Sequence, residues 1–230
     1  HGRNLAAGAA TLSAASLDLS ASQTTARVMD LQATAGLLDT RQAILNADET
    51  LTLRAGGQLD NRHGSLSAAR LDVQAHSLDN TDGELLHTGS DAMSLLLPGE
   101  LTNNGGRIAS NARALRLGAT TLDNTGGRIE HAGSGGLEIR TQSLAGSGGK
   151  ILSNGLLDLH NTDQLNNQGG QISSTGALTL NAAGVDNTGG SIQSSQASVR
   201  IGSGSFDNSR GQLFAATDLT TRTPVAFKLL

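Results

Sequence analysis

Apolar residues in this chain come in short alternating runs that return at a nearly fixed interval. Take the apolar residue that opens each Leu-Asp-Asn-like triplet as offset zero. The anchors are then Leu59, Leu78, Leu101, Leu122, Leu144, Leu165, Val185 and Phe206, spaced by 19, 23, 21, 22, 21, 20 and 21 residues. At offset five every copy carries glycine: Gly64, Gly83, Gly106, Gly127, Gly149, Gly170, Gly190 and Gly211. At offset seven every copy carries an aliphatic residue: Leu66, Leu85, Ile108, Ile129, Ile151, Ile172, Ile192 and Leu213. The residue between them is polar or charged, as at Ser65, Glu84, Arg107, Arg128 and Lys150. That alternation, with a period of two, marks a half-buried strand. A second alternating pair follows in most copies, such as Leu115/Leu117, Leu137/Ile139, Leu157/Leu159, Leu178/Leu180 and Val199/Ile201. Upstream the pattern loosens. Leu51/Leu53 and Met29/Leu31 keep the pair, Leu38-Asp39 is a degraded anchor, and residues 1–27 alternate at Leu12, Leu17 and Leu19 without a Gly-Gly turn.

Each unit therefore carries two or three short strands separated by tight turns. No stretch shows the 3.6-residue apolar period of a helix. A unit with one narrow apolar face cannot bury it alone, and stacking equivalent units makes the core continuous. The pattern predicts an all-β parallel β-helix, or β-solenoid, with about 21 residues per coil. Equivalent strands of successive coils would pair about 4.8 Å apart, and inward positions would stack as aliphatic ladders. A leucine-rich repeat has a similar period, but here a Gly-Gly turn leads straight into another strand and leaves no room for a helix. Gly-Gly at offsets four and five, as in Gly105-Gly106 and Gly126-Gly127, predicts a corner with positive φ. At offset two, Asn61, Asn80, Asn103, Asn124, Asn167, Asn187 and Asn208 form a second column, broken at Gly146. Asparagine suits a turn, and its amide can stack on the next coil's amide in a ladder.

Composition sharpens this picture. The chain has 230 residues with 30 Gly, no Cys, Trp or Tyr, and only three Phe. An ordinary globular core of this size leans on aromatic rings, whereas a narrow coil interior holds aliphatic side chains more easily. The absence of Cys excludes a disulfide scaffold and a thiolate metal site. A net charge of −4 with 16% charged residues provides no basic footprint for nucleic acid. The longest apolar run, Leu95-Leu96-Leu97, is far too short for a membrane-spanning helix. His1-Gly2 reads as the remnant of a tag, and the whole as a piece of something longer.

The search for chemistry finds little. An Asp column at offset one (Asp39, Asp60, Asp79, Asp123, Asp186 and Asp207) could in principle gather oxygens for Ca²⁺. A water-facing turn residue beside each anchor accounts for it more simply. The histidines make no metal-ligand pair, and His87 and His131 fall on non-adjacent coils, so surface positions are expected for them. Gly133-Ser-Gly-Gly136 and Gly146-Ser-Gly-Gly149 lack the Lys-Ser/Thr of a phosphate loop. No catalytic, cofactor or metal residue is expected, and no enzymatic activity. Two irregularities stand out. The longest coil holds Leu95, Leu96, Leu97 and Pro98, an enlarged turn that could bind a partner. Phe206, Phe214 and Phe227 all fall near the end, where they could cover the last coil.

Units such as Val185-Asp-Asn-Thr-Gly-Gly-Ser-Ile192 and Leu122-Asp-Asn-Thr-Gly-Gly-Arg-Ile129 resemble the haemagglutinin repeats of filamentous-haemagglutinin-like exoproteins. That family includes large adhesins and the contact-dependent growth inhibition toxins of Gram-negative bacteria. The resemblance implies a right-handed parallel β-helix and secretion through a partner outer-membrane transporter of the two-partner secretion type. It also implies a place at the bacterial cell surface, with a host or neighbouring-cell receptor as a further partner. The piece would be an internal shaft segment that projects a distal binding or toxin domain. Direct receptor or glycan binding is the alternative, and a polysaccharide lyase or hydrolase a more distant one. The expected organisation is degenerate coils over 1–37, regular repeat coils over 38–222 and a tail over 223–230, with 228–230 a candidate foreign extension.

Overall fold

The computed structural model describes residues 2–223 and 226–228. Every strand pairing among them is parallel and joins one coil to the next, as in Ile108↔Ile129, Ile129↔Ile151 and Ile151↔Ile172. The chain winds through about 10 turns of a β-solenoid with about 21 residues each. An 11-stranded sheet carries the strands that follow the Gly turn, and a 14-stranded sheet carries the anchors and most of the Leu-x-Leu segments. The expected Ile and anchor columns are both inside: Ile108, Ile129 and Ile192 are completely buried, as are Leu38, Leu59 and Leu165, and only Leu213, in the last coil, is partly buried. Alternation makes this possible, because every second side chain of each strand faces the axis and stacks on its counterpart.

The coil changes its path along the rod. In the early coils one long strand, such as Ile44–Ala55 or Ser65–Gln74, runs from the Gly corner through a register shift between Ala47 and Thr50 into the Leu-x-Leu segment. From Glu84–His87 onward the strand after the corner is four residues long and stops. A loop follows, and the Leu-x-Leu segment joins the other sheet, first as Met93–Leu96 and then within Leu115–Asp123.

The corners differ from the expectation in one respect. The two glycines of each pair have separate roles, and only offset four has positive φ. It is held by Gly105, Gly126, Gly148, Gly169 and Gly189, and in the remaining coils by Ala21, Gln42, His63, Asp82 and Arg210. The glycine at offset five is demanded by space. A Cβ on Gly127 would overlap the carbonyl oxygen of Asn103 in the coil before and sit 2.8 Å from Oδ1 of Asn124, whereas a Cβ on Gly126 would meet nothing within 4 Å.

Other expectations are corrected by burial. Leu95 and Leu97 are core rungs, and only Leu96, 60% exposed, points outward from the long coil. Phe206 is an anchor inside the stack, while Phe214 is 55% exposed, so these two do not form a cover. The side chain of Phe227 and residues 224, 225, 229 and 230 lie outside the described residues.

The glycine pair provides a sharp test. Gly126→Ala should cost about 1 kcal/mol, the strain of a left-handed backbone. Gly127→Ala should cost several-fold more, because two backbones must separate. Urea denaturation of both variants measures the difference, and equal midpoints would contradict this division of roles.

Candidate functional site

Two features could do work beyond packing: the polar columns at the corner, and a trough along the outer face.

The corner columns are built from the Leu-Asp-Asn triplet. All seven Asn are buried, Asn61, Asn80, Asn103, Asn124 and Asn187 completely. Nδ2 of each donates to Oδ1 of the next: Asn61 to Asn80 at 2.7 Å, Asn80 to Asn103 at 2.8 Å, Asn103 to Asn124 at 2.7 Å, Asn167 to Asn187 at 2.6 Å and Asn187 to Asn208 at 2.5 Å. The same Nδ2 also faces the carbonyl of the offset-five glycine in its own corner, as Asn103 does to Gly106 at 3.2 Å. The orientation of each amide is thereby fixed. Oδ1 lies so close to where a Cβ of that glycine would stand that no side chain fits there. The glycine column Gly64, Gly83, Gly106, Gly127, Gly170, Gly190 and Gly211 thus makes room for the Asn column, and Gly149 meets Asn124 from the coil before. Thr40 starts the first run by donating its hydroxyl to Oδ1 of Asn61 at 3.0 Å. Gly146 divides the ladder into one run ending at Asn124 and another beginning at Asn167.

The offset-one carboxylates act within their own turns. Oδ1 accepts the backbone N–H two residues on, from Ser20 to Asp18, Thr81 to Asp79, Thr125 to Asp123, Thr188 to Asp186 and Ser209 to Asp207. The water-facing position expected for all of them is corrected for Asp39 and Asp60, which are 3% and 5% exposed. Arg41 and Arg62 cover them, each bonded to the Asp of its own coil and within 3.6 Å of the Asp of the next. Burial opposes ionisation of Asp60, but the bonds from Arg62 outweigh it and hold the carboxyl below its ordinary value. On the other sheet Arg107 is paired with Glu84 at 2.7 Å and Glu130 at 2.8 Å. Among the described residues no group of three or more His, Cys, Asp or Glu could hold a metal ion.

The surface expectation for His87 and His131 is also corrected: both are 2% exposed, in the inward column two residues after the aliphatic one. Ser110 lies between them, and Ser153, Ser174 and Ser194 continue the column. Alternation counted from Ile108 and Ile129 would have found this polar column, because it falls on inward positions.

The trough lies on the outside of the sheet that carries the Leu-x-Leu segments. Its first part, about 510 Å³, is bounded by Leu96, Leu97, Pro98, Thr120, Arg140 and His160. Its second part, about 780 Å³, continues from His160 past Asn181, Ala182 and Ser203 to Arg222. Small residues make it concave, and Leu96 lies directly over Gly118. No Asp or Glu lines either part, although the chain as a whole is acidic. Of the turn residues singled out in the sequence, Leu96, Leu97 and Pro98 reach the trough, and Leu95 is sealed in the core.

A parallel β-solenoid with a regular triplet-and-glycine corner defines the class of this protein as a repeat-built rod. The haemagglutinin repeat is matched over residues 2–96, 67–161 and 152–222, and the chain belongs to that family. It is also similar to the toxin CdiA of Yersinia pestis, with 35% identity over 132 residues, which is 52% of this chain and 4% of that protein. No solved structure gives a match. The chain is therefore a haemagglutinin-repeat segment of an exoprotein of the filamentous-haemagglutinin and CdiA kind. Among the described residues no helix is long and apolar enough to cross a membrane.

Removing one amide from the ladder should be costly because its partners stay buried. Asn103→Ala should destabilise the rod by about 1–3 kcal/mol. Asn208→Ala, at the last rung of its run, leaves fewer orphans and should cost less. Chemical denaturation of the two variants compares them directly.

Proposed function

We propose that this segment is a structural shaft that holds a distal binding or toxin domain away from the cell that secretes it. The observation that carries this reading is the repetition of inward columns from coil to coil, with ladders of Ile, Leu and, in two runs, Asn that need only the neighbouring coil for support. Stability in such an array is a sum of nearest-neighbour terms. A rod of this kind can be long without a thick core, and its ten or so turns at about 4.8 Å span roughly 50 Å. The segment is non-catalytic in this reading. Family membership supports export through a two-partner secretion transporter and retention at the outer membrane surface, with a receptor on a host or neighbouring cell engaged by other parts of the whole protein.

A second reading, direct contact with a receptor or glycan, has the carboxylate-free trough in its favour. Its lining of Thr, Asn and Gln side chains suits a hydroxyl-rich chain, with Arg222 in its second part and Arg140, bonded to Glu138, in its first. No Phe, Tyr or Trp side chain lines the trough for sugar stacking, which argues against it.

The shaft reading is tested by length. Duplicating residues 101–205, five coils, should lengthen the rod by about 24 Å at unchanged width. Electron microscopy or small-angle scattering of the two forms measures this, and a compact or kinked product would overturn it. Loss of surface binding by the intact segment on Arg140→Glu with Arg222→Glu would favour the trough instead.

A further inference from the structure

We propose that His87 is an acid-labile latch at the joint where the coil changes its path. The joint is a specific place. Ser65–Gln74 is the last long strand, and Glu84–His87 is the first short one. The pairing between them ends at Ala68↔His87, so the remainder of the long strand loses the continuous partner that its predecessors have. The backbone N–H of Leu71, in that remainder, donates to Nδ1 of His87 at 3.2 Å. The other ring nitrogen, Nε2, lies 3.0 Å from the carbonyl oxygen of Asp91 in the loop that leaves the strand. A carbonyl accepts only, so Nε2 must carry the proton and donate. The imidazole therefore bridges the end of one coil geometry and the loop that begins the other.

This arrangement admits one protonation state. A second proton would go on Nδ1, where the Leu71 N–H already points, and two donors would then face each other in a site 2% exposed. In-register neighbours in the column are Ala68 and Ser110, neither charged. The charged groups acting on the ring are Asp91, on its own loop, and Arg70, on the preceding strand, and they oppose one another. Burial is the largest influence and lowers the proton affinity of the ring, against the bond to Asp91, which raises it. The native state thus withholds a proton that the unfolded chain accepts near pH ~6.5. The latch contributes its full stability above that value and loses it as pH falls through it toward the lower native value.

His131 is an internal comparison. It is equally buried in the same column, and its affinity is also lowered by burial, against the bond to Ala112. Its Nε2 faces the carbonyl oxygen of Ala112 at 2.8 Å, but its Nδ1 faces the hydroxyl of Ser153 at 3.3 Å. That hydroxyl lies 2.8 Å from the carbonyl of Leu156 and can give its own hydrogen there, so it can accept one from a protonated ring. Acid should therefore weaken the joint at His87 more than the coil at His131, where Ser153 can turn its hydroxyl to accept from a protonated ring.

Hydrogen exchange of the full chain at pH 7.5 and 5.0, expressed as protection factors corrected for intrinsic rates, tests this. Peptides within residues 69–97 should lose protection several-fold on acidification. Peptides within residues 150–195, which include the His131 partner Ser153, should lose clearly less. His87→Gln supplies an amide oxygen that accepts from Leu71 at either pH and should abolish the local difference, while His131→Gln should leave it. A uniform response, or a difference that persists in His87→Gln, overturns the proposal. If His87→Gln does not fold, NMR titration of the wild-type chain decides. The His87 ring and the Leu71 amide should titrate together below the ordinary histidine range. A ring that stays neutral to pH 4, or an amide that does not follow it, overturns the latch.

Discussion

Every coil must deliver its inward side chains at the same height as those of the coil before it. Parallel pairing imposes this, since a slip of one residue would turn the whole apolar set outward. The corner keeps the count. The Leu-Asp-Asn triplet and the glycine three residues later lock each coil to the next through one side-chain amide, with Asn80 reaching Asn103 and then the carbonyls of Gly83 and Arg107. The strands and the two sheets follow from where that corner releases the chain.

Variation is accordingly confined to places that the corner does not control. The loop after the short strand and the approach to each anchor absorb differences in coil length, as in the long coil that contains Pro98. Proline has no N–H to give, and it sits between Met93–Leu96 and Glu100–Thr102, where its carbonyl accepts the hydroxyl of Thr120. The positive-φ position tolerates Gln42, His63 and Arg210 because it lies at the outside of the bend, whereas the glycine next to it has no freedom.

The columns at the anchor and at Ile108, Ile129 and Ile151 were legible in the sequence because alternation and period coincide there. The Asn column was legible as a spacing, and its role as a donor chain needed the third dimension. His87 and His131 fall inward because alternation runs on two residues past Leu85 and Ile129, and their polar type masks a position that counting from the aliphatic residue identifies. The burial of Asp39 and Asp60 was hidden because the arginines that cover them, Arg41 and Arg62, are two residues away in a turn, where direction cannot be read from alternation. The trough was invisible because its walls come from different coils.

The amide ladder has a direction. Each Asn hands its hydrogens toward the carboxy-terminal coil, from Asn61 to Asn124 and again from Asn167 to Asn208. The amide dipoles therefore add head to tail, and the two faces of any coil are unlike: one offers hydrogens and the other lone pairs. A growing stack presents donors at its leading face, and an incoming coil can satisfy them only in the forward sense. The rod cannot add a coil upside down, and its polarity is written into every turn rather than at its ends.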